Sequence, residues 1–188
     1  RVTLVSANVA LPAPPGVDVV TVETAMELNG AIATAYDDAD VIVMAAAVAD
    51  FRPAHYVDSK IKKSHAGAAD DSAPTIELVR NPDILAGLVR RRGAGTRPLI
   101  VGFAAETGDA EGSVLDHARA KLARKGCDLM IANEVGVHKT FGQDVTTVQF
   151  LHRGDPVPDA DVETVGPASK DVVATAVWDV VGRLLPTA

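Results

Sequence analysis

The run VIVMAAA, residues 41–47, narrows the possible folds more than any other stretch of this chain. A strand with one solvated face alternates apolar and polar residues, and this run does not alternate. It fits a parallel strand covered on both faces, which needs one packed layer above it and another below. PLIVGF at 98–103 reads as another buried strand and DLMIA at 128–132 as a third, with helical stretches between them. Strands alternating with helices argue for an α/β fold, a Rossmann-like three-layer sandwich with a mainly parallel sheet. Hydrophobic residues make up 47% of the chain and aromatic residues only 4%, so Ala, Val, Leu and Ile must build the core. A chain of 188 residues suits one substantial domain.

The remaining elements follow from local signals. VTLVS at 2–6 is a strand, LPAPPG at 11–16 a proline-rich loop, and VDVVTV at 17–22 a second short strand. Thr24 and Glu27 have the spacing of a capping box, so a helix starts there, with Met26, Ala33 and the apolar positions between them on its buried face. From Asp58 to Pro74 the sequence DSKIKKSHAGAADDSAP loses its periodicity and reads as a mobile loop, a lid within the domain. TIELV at 75–79 resumes strand alternation. Asn81-Pro82 signals a helix running to about Arg92, with asparagine as cap and proline at the first helical position. Residues 112–125 are helical, and Thr147 to Leu151 form an antiparallel strand at the sheet edge. A terminal helix spans Ser169 to Leu185 with Trp178 on its inner face.

Charge and motif content exclude several functions. Eighteen basic residues against 25 acidic ones give a net charge of −7, which argues against a general binder of nucleic acid or acidic membranes. A small anionic ligand needs only a local basic cluster. Cys127 is the single cysteine, read as a small core residue; with no internal disulfide possible, a reducing cytoplasm is the expected compartment. No apolar run reaches the roughly 18 residues that span a membrane, and no secretory signal opens the sequence. The histidines, at 55, 65, 117, 138 and 152, show no metal spacing. No GxGxxG follows a strand, and neither a Walker motif nor a nucleophile elbow is present.

In open α/β sheets, ligands bind beyond the carboxyl ends of the strands. Asp50, Glu106 and Asn133 each follow an apolar strand, so they stand where a site belongs, or else they cap nearby backbone groups. Lys60 and Lys62 of KIKK point the same way if extended, and flexible point charges suit a polyphosphate; ordinary surface charge is the plainer reading. Lys121 and Lys125 share a helix face, with Arg119 and Arg124 in the same segment. Like charges at that spacing cost a helix a few tenths of a kcal/mol, which a bound anion or a neighbouring carboxylate could offset. The helix start at Asn81–Ile84 favours an anion or is a simple cap. Phe103 stacks a base or fills the core.

In chain order, VTLVSANVALPAPPGV, AAAVADFRPA, KIKK, LVRNPDIL, VGFAAET, ARAKLARKGCDLMIAN and FGQD resemble the phosphopantothenoylcysteine synthetase family of coenzyme A biosynthesis, over Val2 to about Leu151. KIKK, ten residues after the aspartate of AAAVAD, is the most telling element, and ARAKLARK is similar to the bacterial, CTP-using type. The resemblance implies a two-step ligation. The carboxylate of 4′-phosphopantothenate attacks the α-phosphate of CTP, giving an acyl-cytidylate and pyrophosphate; the amine of L-cysteine then attacks the acyl carbon and releases CMP. By position it implies CTP-site roles for Met44, Ala45, Ala46, Asp50, Lys60, Pro82, Asp83, Ile84, Leu85, Phe103, Lys121 and Lys125, with Asn133 reaching the base edge. Ala46, Ala47 and Asp50 would lie close to the phosphopantothenate. Lys60 would stabilise charge as the acyl-cytidylate forms, and Asp50 would position the reactants.

The resemblance further implies magnesium (Mg2+) sharing the triphosphate charge, a homodimer through the later strands, and fusion to a flavin-dependent phosphopantothenoylcysteine decarboxylase. The family's domain opens with a strand, a glycine-containing turn and a helix ahead of the stretch matched here. The expectation for 1–188 is therefore an N-terminally incomplete synthetase domain, and a non-catalytic nucleotide-binding or dimerisation fragment stands beside the ligase as an alternative. Thr146 stands where the family usually has asparagine. A nicotinamide-dependent oxidoreductase on a similar sheet is a third reading, disfavoured by the missing glycine fingerprint.

Overall fold

The computed structural model describes residues 1–57, 59, 75–135, 144–154 and 157–185. Lys60, and with it all of the expected 58–74 lid except Ser59, lies outside the described residues, as do 141–143 of the FGQD element. In chain order the elements are β1 (Thr3–Ala7), β2 (Asp18–Val22), α1 (Ala25–Ala35), β3 (Val41–Met44), β4 (Phe51–Pro53), β5 (Leu78–Arg80) and α2 (Ile84–Arg92). They continue with β6 (Leu99–Glu106), α3 (Val114–Lys125), β7 (Leu129–Glu134), β8 (Val145–His152), β9 (Thr164–Ser169) and α4 (Lys170–Leu184).

The main sheet has the order β3-β6-β7-β8-β9. β3, β6 and β7 run parallel, and β8 and β9 extend the sheet antiparallel. Alternate residues of its central strands go to opposite layers, because successive side chains of a strand point to opposite faces. Ile100 and Ala104 of β6 and Met130 and Ala132 of β7 pack with Leu28 and Ile32 of α1, Leu88 of α2, and Ala118 and Leu122 of α3. Leu99, Val101, Leu129 and Ile131 go to the other face, against Val173, Val177, Val180 and Val181 of α4. Both faces of the strands are thus apolar and covered, which accounts for the runs without alternation. The three layers are the sandwich expected from the sequence. Gly102 lets α2 come close: a Cβ there would stand 2.7 Å from Leu85 Cδ2.

Several local expectations are corrected. β1 and β2 pair in parallel, but they form a sheet of their own that joins no other strand among the described residues. The 75–79 strand becomes β5, which pairs antiparallel with β4 as a short ribbon outside the main sheet. β8 is not at the edge, because β9 pairs beyond it; the Gly-Pro inside TVGPAS hides that strand from a propensity reading. The capping box of Thr24 and Glu27 is present. Of the expected face of α1, Leu28 and Ile32 are buried, whereas Met26 is 47% exposed and Ala33 is exposed as well. Trp178 is 54% exposed, because Val173, Val177, Val180 and Val181 already fill the inner face of α4.

Candidate functional site

A cavity of about 740 Å³ opens beyond the carboxyl ends of β3 and β6. Stretches far apart in sequence wall it: residues 44–51, residues 80–85, Phe103 and Ala105 of β6, and Lys121, Arg124 and Lys125 of α3. Of the positions singled out from the sequence, Met44, Ala45, Ala46, Ala47, Asp50, Pro82, Asp83, Ile84, Leu85, Phe103, Lys121 and Lys125 meet there. Asn133 is not on the wall; it sits on β7 opposite Ala105 in the strand register. Arg119 turns away, pairing with Asp159 and donating to the Val157 carbonyl at 2.8 Å.

The loop after β3 is held by Asn81. Its backbone N–H donates to the Asp50 carbonyl at 2.8 Å, and its side-chain amide donates to the Ala49 carbonyl at 2.9 Å. Arg52 donates to the Asn81 side-chain oxygen at 3.1 Å and to the Arg80 carbonyl at 2.7 Å. Asn81 is therefore a clamp for the 45–50 loop and not a helix cap. The cap is Asp83, whose Oδ1 accepts from the Ala86 N–H at 3.1 Å. Its carboxylate occupies the helix N-terminus that sequence reasoning had offered to an anion.

Both lysines of α3 meet carboxylates. Lys121 Nζ donates to Glu106 Oε1 at 3.0 Å, and Lys125 Nζ donates to Asp83 Oδ2 at 2.5 Å. Of the two ways to offset their mutual repulsion, this structure shows the carboxylate one. Burial alone would push the Asp83 carboxyl up. The Lys125 hydrogen bond, the Ala86 N–H, and the charges of Lys125 and Arg90 outweigh burial and hold it below the ordinary range. Phe103 packs on the α4-side core and also lines the cavity.

Sequence reasoning missed Arg80, which lines the cavity with its guanidinium 6.0 Å from the centroid of the Phe51 ring. Its signal was a cation directly before Asn81 in LVRNPDIL. The wall carries Arg80, Lys121, Arg124 and Lys125 against Asp50 and Asp83, a local reversal of sign on an acidic chain. Other groups make poor reaction centres. Burial pushes the Cys127 thiol up to about 11, which leaves it protonated and inert near neutrality. Among the described residues no group of three or more His, Cys, Asp or Glu could hold a metal ion, and no helix is long and apolar enough to cross a membrane.

A mostly parallel sheet with a helical layer on each face defines a Rossmann-like α/β domain, and its cation-lined cavity lies beyond the strand ends. The model of the DNA/pantothenate metabolism flavoprotein C-terminal domain family matches residues 1–184, and the chain belongs to that family. The coenzyme A biosynthesis bifunctional protein CoaBC of Mycolicibacterium smegmatis is 47% identical over 188 residues, which is 98% of this chain and 43% of that protein. The protein of the same name from Escherichia coli K12 is 39% identical over 178 residues, 93% of this chain and 42% of that one. The chain thus spans less than half the length of these relatives. A crystal structure of the C-terminal domain of CoaBC superposes with a TM-score of 0.69 at 28% identity, covering 97% of this chain and 74% of that one.

Proposed function

We propose that this chain carries the ligase chemistry of coenzyme A biosynthesis, the CTP-dependent joining of L-cysteine to 4′-phosphopantothenate. The observation behind this reading is the convergence of the motif residues on one cation-lined cavity beyond the strand ends. Family membership and the CoaBC relatives support it. In the proposed first step a substrate carboxylate oxygen bonds to the α-phosphorus of CTP, and the α–β bridging P–O bond breaks to release pyrophosphate. In the second step the cysteine nitrogen bonds to the acyl carbon, a proton leaves the amine, and the acyl–oxygen bond to CMP breaks. In this reading Lys121, Lys125 and Arg124 would face the triphosphate, and Phe103 would flank the base. Asp50, on the loop held by Asn81, would position the 4′-phosphopantothenate beside Ala46 and Ala47. Holding two anions in contact is the main task of such a site, since correct placement alone supplies much of the acceleration. Lys60, outside the described residues, is assigned to the charge that builds on the α-phosphate.

Magnesium, when bound, would neutralise part of the triphosphate charge. Asp50 is a wall carboxylate of the type it favours and would help to hold it, whereas both oxygens of Asp83 are already engaged, by the Ala86 N–H and by Lys125. The same reading includes a cytoplasmic setting, a flavin-dependent decarboxylase as fusion partner, and a homodimer, which light scattering at about ten micromolar protein tests. The decisive experiment pairs CTP calorimetry with a coupled pyrophosphate assay in the presence of 4′-phosphopantothenate and cysteine. Binding with pyrophosphate release is the expected result. Binding without turnover would make the chain a nucleotide-binding fragment, and absence of CTP binding would overturn the reading.

A further inference from the structure

The cations of the cavity wall stand in two places. Lys121, Arg124 and Lys125 are on α3, which packs on α2, β6, β7 and β8. Arg80 stands apart, at the end of β5 in the ribbon with β4. Its backbone is fixed. It pairs with Phe51 in the ribbon register, its carbonyl accepts from Arg52 at 2.7 Å, and the N–H of the next residue, Asn81, donates to the Asp50 carbonyl at 2.8 Å. Its side chain is exposed, and the guanidinium makes no hydrogen bond or ion pair among the described residues. It rests 6.0 Å from the centroid of the Phe51 ring, which is itself 51% exposed and on the cavity wall. An unneutralised guanidinium on a fixed backbone, beside an open aromatic face, suits a ligand whose anionic group adjoins an apolar one.

We propose that Arg80 holds the phosphate of the acid substrate while the Phe51 ring receives the apolar segment beside it, so that this pair selects 4′-phosphopantothenate over pantothenate. The proposal rests on the reading that this cavity joins that acid to cysteine through CTP. In that reading the carboxylate of the acid must touch the α-phosphate, which the cations of α3 face. The acid's own phosphate lies at the other end of the molecule, and repulsion from the triphosphate keeps it there. Arg80 is the wall cation that adjoins the 45–50 loop, through the Asn81 hydrogen bond to Asp50. In 4′-phosphopantothenate the phosphate is carried on a methylene next to a carbon bearing two methyl groups, an anion beside an apolar branch. A guanidinium offers its N–H groups in a planar fork that matches two phosphate oxygens at once. The fixed backbone reduces what must be ordered on binding. A site built to hydrogen-bond one group rejects the analogue that lacks it, and here the analogue is the unphosphorylated acid.

The test is calorimetry of the 188-residue chain and its Arg80→Gln and Arg80→Lys variants, each titrated separately with 4′-phosphopantothenate, pantothenate and CTP. The side chain is exposed, so both variants are expected to keep the wild-type melting temperature. In Arg80→Gln the affinity for 4′-phosphopantothenate is expected to fall about tenfold or more, the scale of a lost charge-assisted hydrogen bond. Affinities for pantothenate and CTP are expected to stay within about twofold, as for a neutral surface change. Lysine keeps the charge without the fork, so Arg80→Lys should fall between wild type and Arg80→Gln. An equal loss for CTP would put Arg80 on the triphosphate and overturn the proposal. Unchanged 4′-phosphopantothenate affinity in Arg80→Gln overturns it too, as does a wild-type chain that does not prefer 4′-phosphopantothenate to pantothenate. Failure of the functional reading shows separately, as absence of CTP binding by the wild-type chain.

Discussion

The two halves of the molecule solve the same problem differently. β6 and β7 have neighbours on both sides in the sheet and a helical layer on each face; Ile100, Val101, Leu129, Met130 and Ile131 are all fully buried. Among the described residues β1 and β2 pair only with each other, and Val2, Leu4, Val19 and Val20 are exposed while Val22 at the end of β2 is buried in the core. Apolar strand sequence therefore does not by itself produce burial; a second layer must be there to receive it. The site follows the better-packed half. Its wall is anchored on β3, β6, α2 and α3, where close packing holds side chains in place.

The sharpest way to break this comparison is to truncate matched residues in the two regions. Ile131→Ala should cost about 2–5 kcal/mol, the range for deleting a buried aliphatic side chain. Val20→Ala should stay within about 0.5 kcal/mol, as expected for a surface change. Urea denaturation midpoints measure both, and equal losses would erase the contrast.

Glycines sharpen it further with opposite signs. Gly102→Ala would place a methyl 2.7 Å from Leu85 Cδ2 and 3.3 Å from Met130 Cε, and should cost about 1–3 kcal/mol. Gly30, inside α1, has open space where a side chain would begin, with nothing within 4 Å of the position a Cβ would take. Gly30→Ala should stabilise by about 0.5–1 kcal/mol through helix propensity. Thermal melts of the two variants, moving in opposite directions, are the expected result; a gain from Gly102→Ala would show that α2 has room to shift.

The smallest expected effect is a histidine pH response in the better-packed half, since no histidine precedes His55. His117 Nε2 lies 2.9 Å from Asp109 Oδ1, and this hydrogen bond raises the His117 pKa above 6.5. Burial opposes the rise, while the charges of Asp109, Glu106 and Asp116 add to it. A raised histidine value contributes stability that is full below the unfolded pKa and is lost as pH rises through the folded one. The stability difference between wild type and His117→Gln should therefore be larger at about pH 5.5 than at about pH 8.5. A difference that does not vary with pH would mean the pair is electrostatically passive.

Much of this was legible locally. The capping box at Thr24, the helix ending at Arg92 and the buried strands rest on interactions between near neighbours or on periodicity, which a sequence displays directly. Of the three polar residues that stand straight after apolar strands, Asp50 lines the cavity while Glu106 and Asn133 do not; the other cavity stretches were reached through the family resemblance. β9 was not legible, since pairing with β8 overrides the poor strand propensity of TVGPAS. Asn81 carried the right signal for a cap but serves as a clamp, because Asp83, two residues on, takes the cap.

The sequence by itself determined the layered class of the fold and the order of its helices and central strands. Each of these depends on the period of apolar residues or on contacts within a few positions. Only the tertiary structure decided which carboxylate each lysine meets: Glu106 lies 15 residues from Lys121, and Asp83 lies 42 from Lys125. It also decided that Trp178 faces outward and that β1 and β2 stand apart from the main sheet. The physical reason is common to all three. Coulombic pairing and burial depend on distance in space, and packing fixes that distance among elements whose separation along the chain carries no record of it.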